Sequence, residues 1–280
     1  MTTSKLFASP ILPAVAALVS GCGGDPAGPP ATPPPTPTTE GAPAEHAHHH
    51  KEGHDHTWKD APKHGPSEPG HHAAGHGHHH AEHAGGPLGH RFEKADEWVS
   101  VFDDPARDAW QRPADVVAAI RITPGMTAVD LGAGTGYFLP HLAKAVGPKG
   151  SVVGLDIEPD MVRYMRERAA KAKLTNVRAE VAKVDDPGIA RGSADRILIV
   201  NTWHHIANRA AYAAKLREGL KPGGLVAVVD FTMDAERGPP KEHRLPAEKV
   251  IEELKAGGLR AELLTEPLPD QYIVTGKSEP

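Results

Sequence analysis

The chain has 280 residues, 39% of them apolar and 5% aromatic, with a formal net charge of −5 at neutral pH. This mild acidity, without a basic stripe or a cluster of Arg and Lys, argues against nucleic acid as a partner. The single cysteine, Cys22, leaves everything C-terminal to it without a disulfide, a thiolate metal site or a cysteine nucleophile.

The first stretch, MTTSKLFASPILPAVAALVSGC, has one early charge, Lys5, then an apolar run from Leu6 to Val19 and small residues. The run is too short and too broken by proline for a good membrane span, and it suits the apolar region of an export signal. Its end, LVSGC, resembles a bacterial lipobox. That resemblance implies a lipoprotein-type signal peptide over residues 1–21 and a lipid on Cys22, which then becomes the mature N-terminus. Gly23 follows Cys22 where an aspartate would otherwise retain the protein, so in a Gram-negative envelope the implied location is the periplasmic side of the outer membrane. The anchor is then lipid and not a spanning helix. The alternative is an uncleaved apolar N-terminus or a misassigned start, with a cytoplasmic protein.

Residues 22–90 hold almost no large apolar side chain, Trp58 and Leu88 excepted. Such a segment cannot bury enough surface to offset its ordering entropy and is expected to be a disordered tether. A Pro/Thr-rich spacer comes first. A tract containing most of the 19 histidines follows, with the triplets His48, His49, His50 and His78, His79, His80. Imidazole suits Zn(II), Ni(II) and Cu(II), and Glu52, Asp55 and Glu82 add oxygen ligands. With no fixed ligand spacing, the expectation is loose, multi-site metal buffering and not a catalytic centre. The alternative is a polar linker whose histidines keep it soluble.

From Arg91 to the C-terminus, apolar runs recur at regular spacing, giving one expected domain over residues 91–280. RFEKADEWVSVF reads as a helix with Phe92, Trp98, Val99 and Phe102 inward, ending near Asp103–Pro105. Pro113 opens a second helix in RPADVVAAIRI, at a favoured first-turn position. TAVDL is a short apolar strand, YFLPHLAKAVG a helix, GSVVGLDI a strand and EPDMVRYMRERAAKAKL a helix. NVRAEVA and ADRILIVN are strands, NRAAYAAKLREGL is a helix closed by KPGG, and GGLVAVVDF is a strand. PAEKVIEELKAGG is the last helix, and LRAELLTE and QYIVTGK are the last strands. The alternation predicts an α/β fold: a doubly wound, mostly parallel sheet with helices on both faces. Strands with no polar face, such as ILIV and LVAVV, suit a sheet covered on both sides. The last two strands, with no helix between them, would pair antiparallel at one edge.

The loop DLGAGTG ends the first strand and opens a helix. Its spacing is G-x-G-x-G, with Tyr137 where a dinucleotide fingerprint needs glycine. It resembles motif I of the class I S-adenosylmethionine-dependent methyltransferases. Asp156, ending the next strand in VVGLDIEPDMV, stands where that family carries its ribose-binding acid. LKPGGLVAVVDF and ADRILIVNTWHHI resemble the fifth and fourth strands of the same fold. The four features follow the family order over about Trp98 to Lys277, resembling the type 11/25-like methyltransferase domains. The resemblance implies the Rossmann-like class I methyltransferase fold with an antiparallel edge hairpin, and S-adenosylmethionine as cofactor.

It also implies roles. Gly132, Gly134 and Gly136 would line the methionine and ribose portion, and Asp130 would help hold the amino group. Asp156 would bind the ribose, and Ile157 would pack on the adenine. Asp185 or Asp186, with Asp185 favoured, would meet the adenine amine. Asn201 would touch the methionine amine through its carbonyl, or else cap the strand end. His204 and His205 sit where acceptor and sulfonium meet, and either could act as a general base. Tyr137, Trp203 and Trp110 are candidates for pocket, lid or plain core. The implied activity is methyl transfer to a small molecule. No added recognition domain or N-P-P-Y-like motif suggests a macromolecular target, and the absence of cysteine disfavours arsenite methylation through thiolates. The alternative is a non-catalytic S-adenosylmethionine-fold module carrying a metal-buffering tether.

Overall fold

The computed structural model describes residues 91–265 and 268–279. Cys22, His48–His50 and His78–His80 lie outside the described residues. The elements are α1 (Ala95–Phe102), α2 (Arg107–Gln111), α3 (Pro113–Ala119), β1 (Thr127–Leu131), α4 (Leu139–Val146), β2 (Ser151–Asp156), α5 (Pro159–Lys171) and β3 (Val177–Val181). There follow β4 (Ala194–Val200), α6 (Arg209–Gly219), β5 (Leu220–Phe231), α7 (Ala247–Ala256), β6 (Arg260–Leu263) and β7 (Gln271–Lys277). The strands form one sheet in the order β3-β2-β1-β4-β5-β7-β6. β1 to β5 are parallel. β7 runs antiparallel to both β5 and β6, so the expected edge hairpin is present.

Period-two alternation sorts the strand residues onto two faces. Val129, Leu155, Ile197, Ile199 and Val228 pack against α6 and α7 through Tyr212, Leu216, Val250 and Leu254. Ala128, Val152, Leu198, Val200 and Val229 pack against α3, α4 and α5 through Val116, Leu142, Val146 and Met165. Both faces are apolar because both are covered, which is why these strands lack a polar side. A smaller cluster of Ala95, Trp98 and Met161, with Phe92 and Phe102 against it, seats α1 on α5.

Two local features differ from the sequence reading. β5 begins at Leu220, ahead of the KPGG turn, because Ala194 pairs with Leu220 and Arg196 with Leu225. The turn is absorbed as a bulge, with Gly223 at φ 72° and Lys221 Nζ bonded to Asp195 Oδ2 at 2.5 Å. The stretch after α1 also forms a five-residue helix, α2, that no apolar period announced. Its entry is fixed by the Asp104 side chain, which accepts the Ala106 N–H at 2.9 Å.

The chain winds outward through β1, β2 and β3, then crosses back to β4 and β5. The winding reverses between β1 and β4, where open α/β sheets bind ligands beyond their strand ends.

Candidate active site

A cavity of about 630 Å³ lies along those strand ends, within the range of small-ligand sites. Ala182 and Val184 line it after β3, Asp156 and Ile157 at β2, and Gly132 to Thr135 after β1. Asn201, Thr202 and His205 follow β4, and Phe231 ends β5. Phe92, Phe102, Arg107 and Trp110 line it from the segment of α1 and α2, called the cap below.

The glycine loop is bare for two different reasons. At Gly132 (φ 71°), an added Cβ would stand 2.3–2.8 Å from the Thr202 side chain. At Gly134 (φ 55°), it would meet the Phe102 ring at 3.3 Å. Both residues are on the cavity wall. Gly136 is not: its Cβ would strike Leu139 at 2.7 Å and Met165 at 3.0 Å. The third glycine therefore allows α4 and α5 to pack and, unlike the other two, lies off the cavity lining.

The loop is tied down from β2. The Leu155 carbonyl accepts the Gly132 and Ala133 N–H groups at 2.8 and 3.0 Å. Asp156 Oδ2 accepts the Gly134 N–H at 2.8 Å, and Oδ1 accepts the Glu158 N–H at 3.0 Å. The Ile157 N–H is a third backbone donor to the same carboxylate, which leaves it one acceptor position. One carboxylate thus sets the spacing of two loops and still offers an acceptor to a ligand hydroxyl.

Asp130 is buried at the end of β1, behind the loop and off the wall. Burial raises its carboxyl from an ordinary 3.8 to about 7, against the pull of Arg107. Burial likewise raises Asp156 to about 6, against its backbone hydrogen bonds. Folding makes both groups hold their protons more tightly. Their contribution to stability is fully present below the unfolded value and is lost as pH rises through about 6 and 7. Denaturant melts of the ligand-free protein should therefore show stability falling between about pH 4 and pH 7, and Asp130→Asn should flatten that fall. A slope unchanged by the substitution would contradict the assignment.

The remaining predicted residues divide. Ile157 is on the wall. Asp185 is exposed, and neither it nor Asp186 reaches the cavity. The Asp185 backbone carbonyl accepts Lys215 Nζ at 2.6 Å, and the Asp186 carboxylate accepts the Gly188 N–H at 2.9 Å. Both serve the turn after β3, where Ala182 and Val184 form the wall instead. Asn201 lines the cavity with φ 52°, and its Oδ1 accepts Gln271 Nε2 at 2.5 Å. Trp203 is fully buried core, its Nε1 donating to Glu253 Oε2 at 3.0 Å. Tyr137 is buried off the wall and donates to Asp108, while Trp110 is part of the cap lining.

The two histidines separate cleanly. His205 is on the wall. His204 is buried off it, with Nδ1 at 2.8 and 3.0 Å from the two oxygens of Asp230 and its ring centroid 4.2 Å from that of His205. Asp230 escaped the sequence reading although it stands at a strand end, as Asp156 does. Arg107, Glu158 with its Arg91 partner (2.5 and 2.8 Å), and the pair Gln111–Gln271 escaped it too. They lie outside the glycine, strand-end and histidine motifs. Among the described residues, no group of three or more His, Cys, Asp or Glu is placed to hold a metal ion.

Residues 122–263 match a family described as a methyltransferase domain. The chain is 32% identical over 145 residues to the arsenite methyltransferase of Halobacterium salinarum, covering 50% of this chain and 36% of that protein. It is 29% identical over 126 residues to a ubiquinone/menaquinone biosynthesis C-methyltransferase of Burkholderia cenocepacia, covering 44% and 50%. It thus spans half or less of the length of these curated relatives. The crystal structure of a SAM-dependent methyltransferase from Aquifex aeolicus is similar at a TM-score of 0.61 and 28% identity, over 64% of this chain and 96% of that one.

Proposed function

The chain belongs to the methyltransferase-domain family, and from that premise we propose that it moves a methyl group from S-adenosylmethionine to a small molecule bound in the same cavity. The observation that carries this reading is Asp156: a strand-end carboxylate that anchors the glycine loop and keeps acceptor capacity on a cavity wall at the switch point. The residues present fit the cofactor. Asp156 can accept a ribose hydroxyl, Ile157 and Ala182 offer an apolar surface to the base, and Gly132 and Gly134 let a ligand approach the backbone.

When bound, S-adenosylmethionine supplies a methyl group already activated by its sulfonium. The protein's part is then alignment and exclusion of water, the work of a closed cavity. His205 is the imidazole on the wall, so it is the group that takes a proton from an oxygen or nitrogen acceptor. His204, held by Asp230, packs behind His205 and is a positioning residue. The acceptor lies toward β5, where Trp110, Phe231 and Pro269 make an apolar wall. Arsenite, named for the Halobacterium relative, is not adopted as acceptor, because no cysteine follows Cys22 to bind arsenic as thiolate. Incubating the full chain with methyl-labelled S-adenosylmethionine and a small-molecule extract tests the reading. Label should appear in one or a few small molecules; label that stays on the cofactor, or moves only to protein, would contradict it.

The lipobox-like LVSGC supports a lipid anchor on Cys22 in the cell envelope, with residues 22–90 as the tether. Among the described residues no helix is long and apolar enough to cross a membrane. Intact-mass analysis should find a mature chain beginning at a lipid-modified Cys22, and Cys22→Ser should stop the processing. An unmodified chain beginning at Met1 would refute the anchor.

A further inference from the structure

Arg107 projects from α2 onto the cavity wall with its bonding capacity only partly used. Its Nη1 donates to the Phe102 carbonyl at 2.7 Å and its Nη2 to Gln111 Oε1 at 3.2 Å. The Nε is buried and has no partner. The guanidinium carbon stands 4.0 Å from the Tyr137 ring centroid, a cation–π contact that fixes its plane. Among the described residues no carboxylate forms an ion pair with it. Burial lowers its pKa to about 10, with Asp103 and Asp130 acting on it only as more distant charges. Arg107 as a whole is half-buried, and a cation with a buried, unused N–H beside a ligand cavity is costly unless an anion completes it.

Arg107 also begins a row of hydrogen bonds. Gln111, which accepts from it, donates through Nε2 to Gln271 Oε1 at 2.5 Å. Gln271 donates in turn to Asn201 Oδ1 at 2.5 Å. Gln111 and Gln271 are both buried. The row thus joins the cap to the strand-end residue beside the glycine loop, and each amide in it has its orientation set by the next.

We propose that Arg107 binds a carboxylate in this cavity, that of the amino-acid tail of the cofactor, so that α2 supplies part of the cofactor site. The proposal rests on the cofactor reading above. Position favours the tail as the source. Arg107 stacks on the residue that directly follows the glycine loop, and its row ends at Asn201, next to that loop. An acceptor carboxylate has the same chemistry, and Trp110, toward the acceptor end, is 5.9 Å from Arg107.

The test uses the full chain and two thioethers: S-adenosylhomocysteine, and 5′-methylthioadenosine, which lacks the amino-acid tail. Arg107→Gln should weaken S-adenosylhomocysteine by about 10- to 100-fold, the range for a hydrogen bond to a charged group. Methylthioadenosine affinity should change less than about twofold on the same scale. Gln111→Leu, which leaves the cation and breaks the row, should give a smaller loss confined to S-adenosylhomocysteine. Equal losses for both ligands would overturn the proposal and make Arg107 a structural cap residue. If neither affinity changes, the tail is not its ligand, and benzoate titrated into S-adenosylhomocysteine-saturated protein decides the rest. Benzoate binding that Arg107→Gln abolishes assigns the carboxylate to the acceptor; benzoate binding indifferent to Arg107, or absent, overturns the site. If the unaltered chain binds neither thioether, the cofactor reading itself falls, and this proposal with it.

Discussion

Gly132→Val should lower the affinity for S-adenosylhomocysteine by at least about 100-fold, which at 1.4 kcal/mol per tenfold is about 3 kcal/mol. Two effects combine. A β-branched residue at φ 71° occupies a backbone region that costs on the order of 1–3 kcal/mol outside glycine. Its Cβ would also lie 2.3 Å from Thr202 Cγ2 and 2.4 Å from Thr202 Oγ1. Thr202 cannot simply rotate away, because its hydroxyl donates to the Val200 carbonyl at 2.9 Å and contacts the Gly132 carbonyl at 3.3 Å. The loops after β1 and β4 must separate, and both are cavity wall. Calorimetric titration checks the loss. Gly125→Ala is the control, since φ is 91° there but nothing lies within 4 Å of the added carbon. It should cost some stability and leave binding intact. Equal binding by Gly132→Val and the unaltered chain would remove the glycine loop from the site.

Trp203→Ala should destabilise the fold by about 3–5 kcal/mol, the usual cost of truncating a large buried aromatic. Trp203 is fully buried in the turn after β4. Its indole N–H and the Arg209 Nε both donate to Glu253 Oε2, at 3.0 and 2.9 Å, which ties that turn to α6 and α7. Removing the ring leaves a cavity and takes one donor from a buried carboxylate. Trp203→Phe keeps most of the volume and should cost only about 1–3 kcal/mol, the penalty for the lost hydrogen bond. Denaturant melts at one pH distinguish the two. Since a domain has only about 5–15 kcal/mol in hand, the alanine variant should sit close to unfolding. Losses below about 1 kcal/mol for alanine, typical of a surface substitution, would mean that the turn is not core.

The sheet was legible because its signals are local and repeated. ILIV and LVAVV lack a polar face, and Pro113 and Pro159 stand in the first turns of α3 and α5. The glycine loop and Asp156 were legible because a backbone conformation and a strand-end charge need few residue types. What escaped depended on contacts distant in sequence. Gln111 and Gln271 meet across 160 positions, and no spacing rule connects two glutamines so far apart. Gly136 shares the motif of Gly132 and Gly134, yet its neighbours are Leu139 and Met165, so only packing reveals its different task. His204 and His205 are adjacent in sequence, and they separate only once Asp230 draws one of them inward. Asp185 and Asp186 lie off the cavity because the chain turns after β3 in a way that puts Val184 on the wall.

Titrating the full chain with S-adenosylmethionine and with S-adenosylhomocysteine, by calorimetry and by thermal shift, tests the account most directly. It predicts saturable binding of both ligands at one site, with a rise in melting temperature as the cavity fills. No heat and no shift with either ligand at millimolar concentration would contradict it.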